Sequence, residues 1–278
     1  VSCSDSRGSC VCGAAARSQP RELIPFMTQR KTPFFVHYLP LPPELRAFVI
    51  WLVFGLSVLI LILSIVVPAL QNQFGPGWRQ PTREISGLLL DGPGAPQLLI
   101  PRPDGAGDSA YSRVLLASTR KLAPPASVLD KSDAWVTLRG ALFSNGSLTV
   151  MNTNRATVLN EPLSNQPVPT EPNVLGEFTL RGEIIDAKCF SGVMKPGAGK
   201  THLGCAVRCI SGGVPAMFHT RNAQGQELDL LLVDEKGNAV NDRVLDRVAL
   251  PLEIRGEVLK LNDLLLLRAD PSGYRTLL

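Results

Sequence analysis

The chain has 278 residues, 28 basic against 24 acidic side chains and a net charge of +4. No run of Lys and Arg forms the basic stripe that a nucleic-acid binder presents. Aromatic residues make up only 6% while Gly (24) and Pro (23) are plentiful, which implies many turns and excludes a large α-helical domain; the length allows one large or two small domains.

Residues 1–26 differ in character from the rest of the chain. The sequence opens with Val, and Met27 begins "MTQRKTPFFVHYLPLPPELR", so Met27 reads as the natural start and 1–26 as an over-extended gene start. Cys3, Cys10 and Cys12 are spaced C-x₆-C-x-C, which fits no common zinc or iron–sulfur pattern. Residues 1–46 are expected in the cytoplasm, with His37 an interfacial residue rather than a ligand.

"AFVIWLVFGLSVLILILSIVVPAL", Ala47–Leu70, holds 24 residues with no charge, no Asn or Gln and two serines. About 20 such residues cross the hydrocarbon core, and the absence of a polar stripe argues against a core helix of a soluble domain. The run is too long and begins too late for a cleaved signal peptide. A transmembrane helix over 47–70 is therefore expected, with Trp51 and Trp78 as interfacial anchors. Arg30, Lys31 and Arg46 precede it and Arg79 and Arg83 come after it, a slight positive-inside bias. The long tail is expected outside the cytoplasm, which in a bacterium means a single-pass inner-membrane protein with a periplasmic C-terminal domain.

After the anchor the chain reads as β structure. Runs such as "ISGLLL", "SRVLLAS", "AWVTLRGALF", "SLTVMN", "EFTLRGEII", "LDLLLV", "LPLEIRGEVL" and "LLLLRA" are separated by Gly, Pro, Asn or Asp clusters. The two halves look alike. "ISGLLLD" ends at Asp91 and "LRGEIID" at Asp186, while "VTLRGALF" aligns with "LEIRGEVL" through Gly140 and Gly256. Leu115 and Gly140 stand 25 residues apart, as do Leu231 and Gly256. Gly87 to Leu115 is 28 residues and Gly182 to Leu231 is 49, so the second copy carries an insertion of 21 between its first and middle strands. The expected fold is mainly β: a transmembrane helix, then two small OB-like barrels bent at mid-strand glycines. The first module is placed at 83–154 and the second at 176–278. The linker at 155–175 is Pro-rich, extended and exposed.

The insertion spans Cys189–Cys209 inside "DAKCFSGVMKPGAGKTHLGCAVRCISGG". Thr201 reads as an N-cap, "HLGCAVRCIS" as about two and a half helical turns, and Gly212 and Gly213 as its stop. His202, Cys205 and Cys209 then share a stripe, and Cys189, ending the preceding strand, can approach across the Gly/Pro loop. Three readings stand. A metal site of Cys189, His202, Cys205 and Cys209 suits zinc, copper or an iron–sulfur centre, although C-x₁₂-H-x₂-C-x₃-C is no standard finger or ferredoxin spacing. It also lacks the two histidines that a Rieske centre needs. A disulfide from Cys189 to Cys205 or Cys209 suits an oxidising compartment and leaves a spare thiol. A catalytic thiol would be Cys205, near a helix N-terminus.

"GAGKTH" is no nucleotide loop, because G-x₄-G-K-[ST] requires glycine where Met194 stands. Met194 is an optional soft ligand and His219 reads as a surface residue. Lys188, Lys195, Lys200 and Arg208 surround the site with positive charge.

The pattern D-x-K-C-F-x-G-x-M-x-P-G-x-G-K-x-H-x-x-C-A-x-x-C-I-x-G-G resembles that of a group of bacterial membrane-anchored proteins to which no activity is attached, and "TPFFVHYLPLPPELR" is more loosely similar to their approach to the span. With scattered carboxylates and three histidines, no acid/base constellation emerges and no catalysis of its own is expected. The expectation is an accessory metal- or redox-bearing subunit of an integral membrane complex, binding neither nucleic acid nor nucleotide. The alternative is an assembly subunit whose stapled Cys loop docks a partner.

Overall fold

A computed structural model describes residues 41–71, 77–103 and 110–277. Cys3, Cys10, Cys12, Met27 and His37 lie outside the described residues. Helix α1, Pro43–Gln71, has 29 residues and is long and apolar enough to cross a membrane. It starts one turn before the expected boundary, taking in Glu44 and Arg46. Its two hydroxyls bond within the helix, Ser57 to the Val53 carbonyl and Ser64 to that of Leu61, so neither is left needing water.

The first barrel comprises β2 (Arg83–Gly92), β3 (Ala95–Pro101), β4 (Tyr111–Ala117), β5 (Trp135–Asn145) and β6 (Leu148–Val158). A two-residue strand β1, Trp78–Arg79, pairs with β5, and a single helical turn α2, Ala126–Leu129, lies between β4 and β5. Trp78, expected as a membrane anchor, therefore belongs to this sheet. Strands β2, β3 and β4 form an antiparallel meander, β4 pairs β6 in parallel, and β6–β5–β2 closes the ring. The second barrel repeats this order with β7 (Asn173–Asp186), β8 (Ala216–Arg221), β9 (Glu227–Val233), β10 (Leu252–Leu261) and β11 (Leu264–Arg268), plus a short β12, Arg275–Thr276, on β10.

The correspondence extends to register. Arg83 faces Gly140 as Phe178 faces Gly256, and Leu89 faces Leu98 as Ile184 faces Phe218. Leu98 faces Val114 as Phe218 faces Leu230, Leu115 faces Val150 as Leu231 faces Leu266, and Leu142 faces Met151 as Val258 faces Leu267. All five ladders of one barrel thus map onto those of the other. The aligned glycines have a steric cause. A Cβ on Gly140 would stand 2.0 Å from the Asn152 carbonyl, and one on Gly256 2.6 Å from that of Arg268, its equivalent. Gly87 and Gly182 face the equivalent carbonyls of Leu99 and His219 at 2.4 and 2.0 Å. Strands coiled this tightly leave no room for a side chain there.

Sequence patterning missed β3 and β8. Pro96 and Pro101 bracket the apolar residues of β3, and β8 is only six residues long. Strands β6 and β7 run to Val158 and from Asn173, so the extended linker shrinks to residues 159–172. Two of its carbonyls are held, Gln166 by the Tyr111 hydroxyl and Pro169 by Arg113. Burial lowers the Arg113 guanidinium to about 10, against the opposing pull of Asp263. Arg113 also donates to Gln97 of its own barrel and to Asn262 in the β10–β11 turn of the other.

Each barrel has its own interior. Leu89, Leu98, Val114, Leu116, Leu138 and Met151 fill the first, and Ile184, Phe218, Leu230, Leu232, Ile254 and Leu267 the second. A third core lies between them. Leu115, Ala117, Leu148 and Val150 pack there with Leu231, Val233, Leu264 and Leu266, which are the same positions of equivalent strands. Strands β4 and β9 are therefore buried on both faces and read as unbroken apolar runs. Gly140→Ala and Gly182→Ala should each destabilise the full chain by about 1–3 kcal/mol through overpacking. Gly204→Ala, in a helical position with nothing within 4 Å of the new methyl, should stabilise it by about 0.5–1 kcal/mol. Thermal melts in detergent read the opposite signs.

Candidate metal centre

Where β2 turns into β3 within two residues, β7 is followed by the whole segment 187–215 before β8 begins. Asp186 ends β7, and its equivalent, Asp91, is exposed at the tight turn of the first barrel. Asp186 itself is fully buried. Its Oδ1 accepts from the Cys189 backbone N–H at 2.8 Å, and its Oδ2 lies 3.0 Å from His202 Nε2. One carboxylate thus turns the chain out of the strand and holds the histidine.

Cys189 opens a single π-helical turn, Cys189–Val193, rather than ending the strand. A 3₁₀ turn, Lys200–His202, leads into α3, Leu203–Ser211. The N-cap is His202 without a side-chain cap bond, not Thr201. The stop is as expected: Gly212 caps the helix and Gly213 takes φ 91°. Buried Ala206 and Ile210 insert into the interior of the second barrel, while Cys209, from the same face of α3, reaches the core between the barrels. The helix is amphipathic about that seam.

Cys189, Cys205 and Cys209 come together. Cys189 Sγ lies 3.7 Å from Cys205 Sγ and 3.8 Å from Cys209 Sγ. Cys189 and Cys209 are buried, Cys205 is half-buried, and all three are free thiols. The three thiols form a group that could hold a metal ion, and Asp186, Cys189 and His202 form a second. The four expected ligands therefore appear as two overlapping triads that share Cys189, with His202 set against Asp186. Met194 is exposed and outside both groups.

The first barrel supplies charge that no sequence spacing announced. Lys121 Nζ donates to Cys205 Sγ at 2.9 Å from 84 residues away. Lys188 is not a surface charge. It is 3% exposed, and its Nζ donates to the carbonyls of Ser118 and Arg120. Burial lowers its pKa, opposed by Cys209, Cys189 and Asp186. The loop after β4 is also tied to the helix end, because Ala123 N–H donates to the Gly212 carbonyl at 2.7 Å. Between the buried thiols, hydrogen bonding from Cys189 favours the thiolate of Cys209, while that bond and burial push the Cys189 thiol far up. Lys200 and Arg208 remain exposed and Lys195 is half-buried.

His219 is not a free surface residue. Its Nδ1 lies 2.8 Å from Asp229 Oδ1, and its ring packs 4.7 Å from that of Phe190. The Gly199 N–H already donates to Glu183 Oε2, so the Gly-rich loop is turned towards a carboxylate. No protein-family model, curated protein or solved structure matches the chain.

Of the three clustered thiols, Cys205 is expected to be alkylated first in the native protein, and Cys189 and Cys209 only after denaturation. Peptide mass mapping after a short iodoacetamide pulse checks the order. Equal labelling of all three would contradict the burial.

Proposed function

We propose that the chain is a single-pass, membrane-anchored accessory subunit whose Cys segment binds one thiophilic metal ion. On this reading α1 crosses a bacterial inner membrane and residues 71–278 face the periplasm. The barrels, antiparallel except where third and fifth strands pair, are OB-like modules.

The thiol spacing carries the metal assignment. An ion with tetrahedral bonds to sulfur of about 2.3 Å sets its thiolates about 3.8 Å apart, and the separations from Cys189 are 3.7 and 3.8 Å. Such spacing favours one ion, zinc or copper(I), over a four-iron cluster, in which each cysteine binds a different iron. His202 is the fourth donor in this reading. A metal-bound imidazole gives its other nitrogen to a carboxylate, and Asp186 stands in that relation to Nε2; His202, grouped with Asp186 and Cys189 rather than with all three thiols, would have to turn Nδ1 towards them to complete the set. Lys121 and Lys188 offset the charge of the thiolates. The half-buried Cys205 is the side from which an ion enters or leaves, which suits a metal- or electron-handling subunit of an integral membrane complex.

Elemental analysis of the membrane-purified full chain should find close to one equivalent of metal, lost in Cys209→Ser. Asp186→Asn should weaken the affinity about 10- to 100-fold by freeing His202. A metal-free protein with a disulfide from Cys189 to Cys205 or Cys209 would replace this reading with that of a stapled docking loop.

A further inference from the structure

The register that relates the barrels also shows where they differ. In the second barrel Glu177 and Glu257 face each other across the β7–β10 ladder. Each neutralises an arginine: Arg255 Nη2 lies 2.9 Å from Glu177 Oε2, and Arg268 pairs with Glu257. The equivalent positions of the first barrel are Thr82, Ala141, Arg139 and Asn152. One guanidinium is kept, and both carboxylates are gone.

A cavity of about 510 Å³ opens at this place, lined by these four residues together with Arg79 and Arg155. Lys188 lies at its wall, and no Asp or Glu does. Among the described residues Arg79, Arg139 and Arg155 have no carboxylate partner, whereas Arg181, Arg221 and Arg243 elsewhere are paired with Glu253, Glu227 and Asp234. Glu84 stands opposite Arg139 in the β2–β5 ladder but forms no ion pair with it. Arg79 is instead braced over the Phe143 ring at 5.9 Å. A second feature is independent of charge: Asn152 is 7% exposed and its Oδ1 is buried with no hydrogen-bond partner. An orphaned buried acceptor costs about 1–3 kcal/mol unless a donor reaches it.

We propose that this cavity of the first barrel binds a small oxyanion, a carboxylate or a phosphate, in the place that the second barrel fills with Glu177 and Glu257. The guanidinium fork matches either group through paired N–H donors, and a ligand hydroxyl would satisfy Asn152. The thiols take no part in recognition, although Lys188, held by the loop next to Cys205, links the two sites.

The test is calorimetric titration of the detergent-solubilised full chain with inorganic phosphate and with malate, each of which carries an O–H for Asn152, at low salt. Saturable binding of at least one is expected. Arg139→Ala should weaken it about tenfold or more, as the loss of a charge-assisted bond implies. Thr82→Glu, which restores the ion pair that the second barrel already carries, should weaken it as much while leaving the melting transition in place. No binding of either anion at millimolar concentration would overturn the proposal. So would binding that survives Thr82→Glu, or binding of acidic peptides alone.

Discussion

Everything in the β part of the chain hangs on one apolar contact, the packing of equivalent outer faces of the two barrels. Leu115 and Val150 meet Leu231 and Leu266 there, each fully buried side chain contributing roughly 1.5–3 kcal/mol. The contact buries strands that would otherwise have a wet face. It also explains why β4, β9 and β11 carry apolar residues at successive positions rather than at alternate ones. A barrel of this size closes only if its strands approach very tightly, and the four glycines at the carbonyls of Leu99, Asn152, His219 and Arg268 allow that.

The Cys segment depends on this seam. Cys189 and Cys209 belong to the shared core, so the thiols are held by packing from both barrels rather than by the loop alone. The polar groups brought in with them are all answered: Asp186 by Cys189 and His202, Lys188 by two carbonyls of the opposite barrel, and Cys205 by Lys121. A buried group without such partners would be costly. The site is thus a property of the pair of barrels, and either barrel alone would leave part of it unpartnered.

Much of this was legible in the residues. The spacing of Gly87, Leu115 and Gly140 against Gly182, Leu231 and Gly256 locates the repeat, because the glycines answer a steric demand of each barrel. The surplus of 21 residues marks the Cys insertion for the same reason. Two things were hidden. Strand β3 is short and bracketed by prolines, and its place is decided by neighbours rather than by its own pattern. The bond of Lys121 to Cys205, and those that hold Lys188 and Asp186 beside the thiols, arise from tertiary docking, so the sequence showed Lys188 only as a charge near the site and Lys121 carried no signal at all. Asp186 was visible only as the counterpart of Asp91; its burial comes from the segment that replaces a tight turn.

The central claim is that three cysteines from a turn and a helix, gathered at the seam between two barrels, surround a single ion. X-ray absorption at the edge of whatever metal purifies with the full chain tests it most directly. The account predicts a first shell dominated by about three sulfur scatterers near 2.3 Å, with no metal–metal distance beyond it. A shell of oxygen and nitrogen only, or a metal–metal vector, would contradict it.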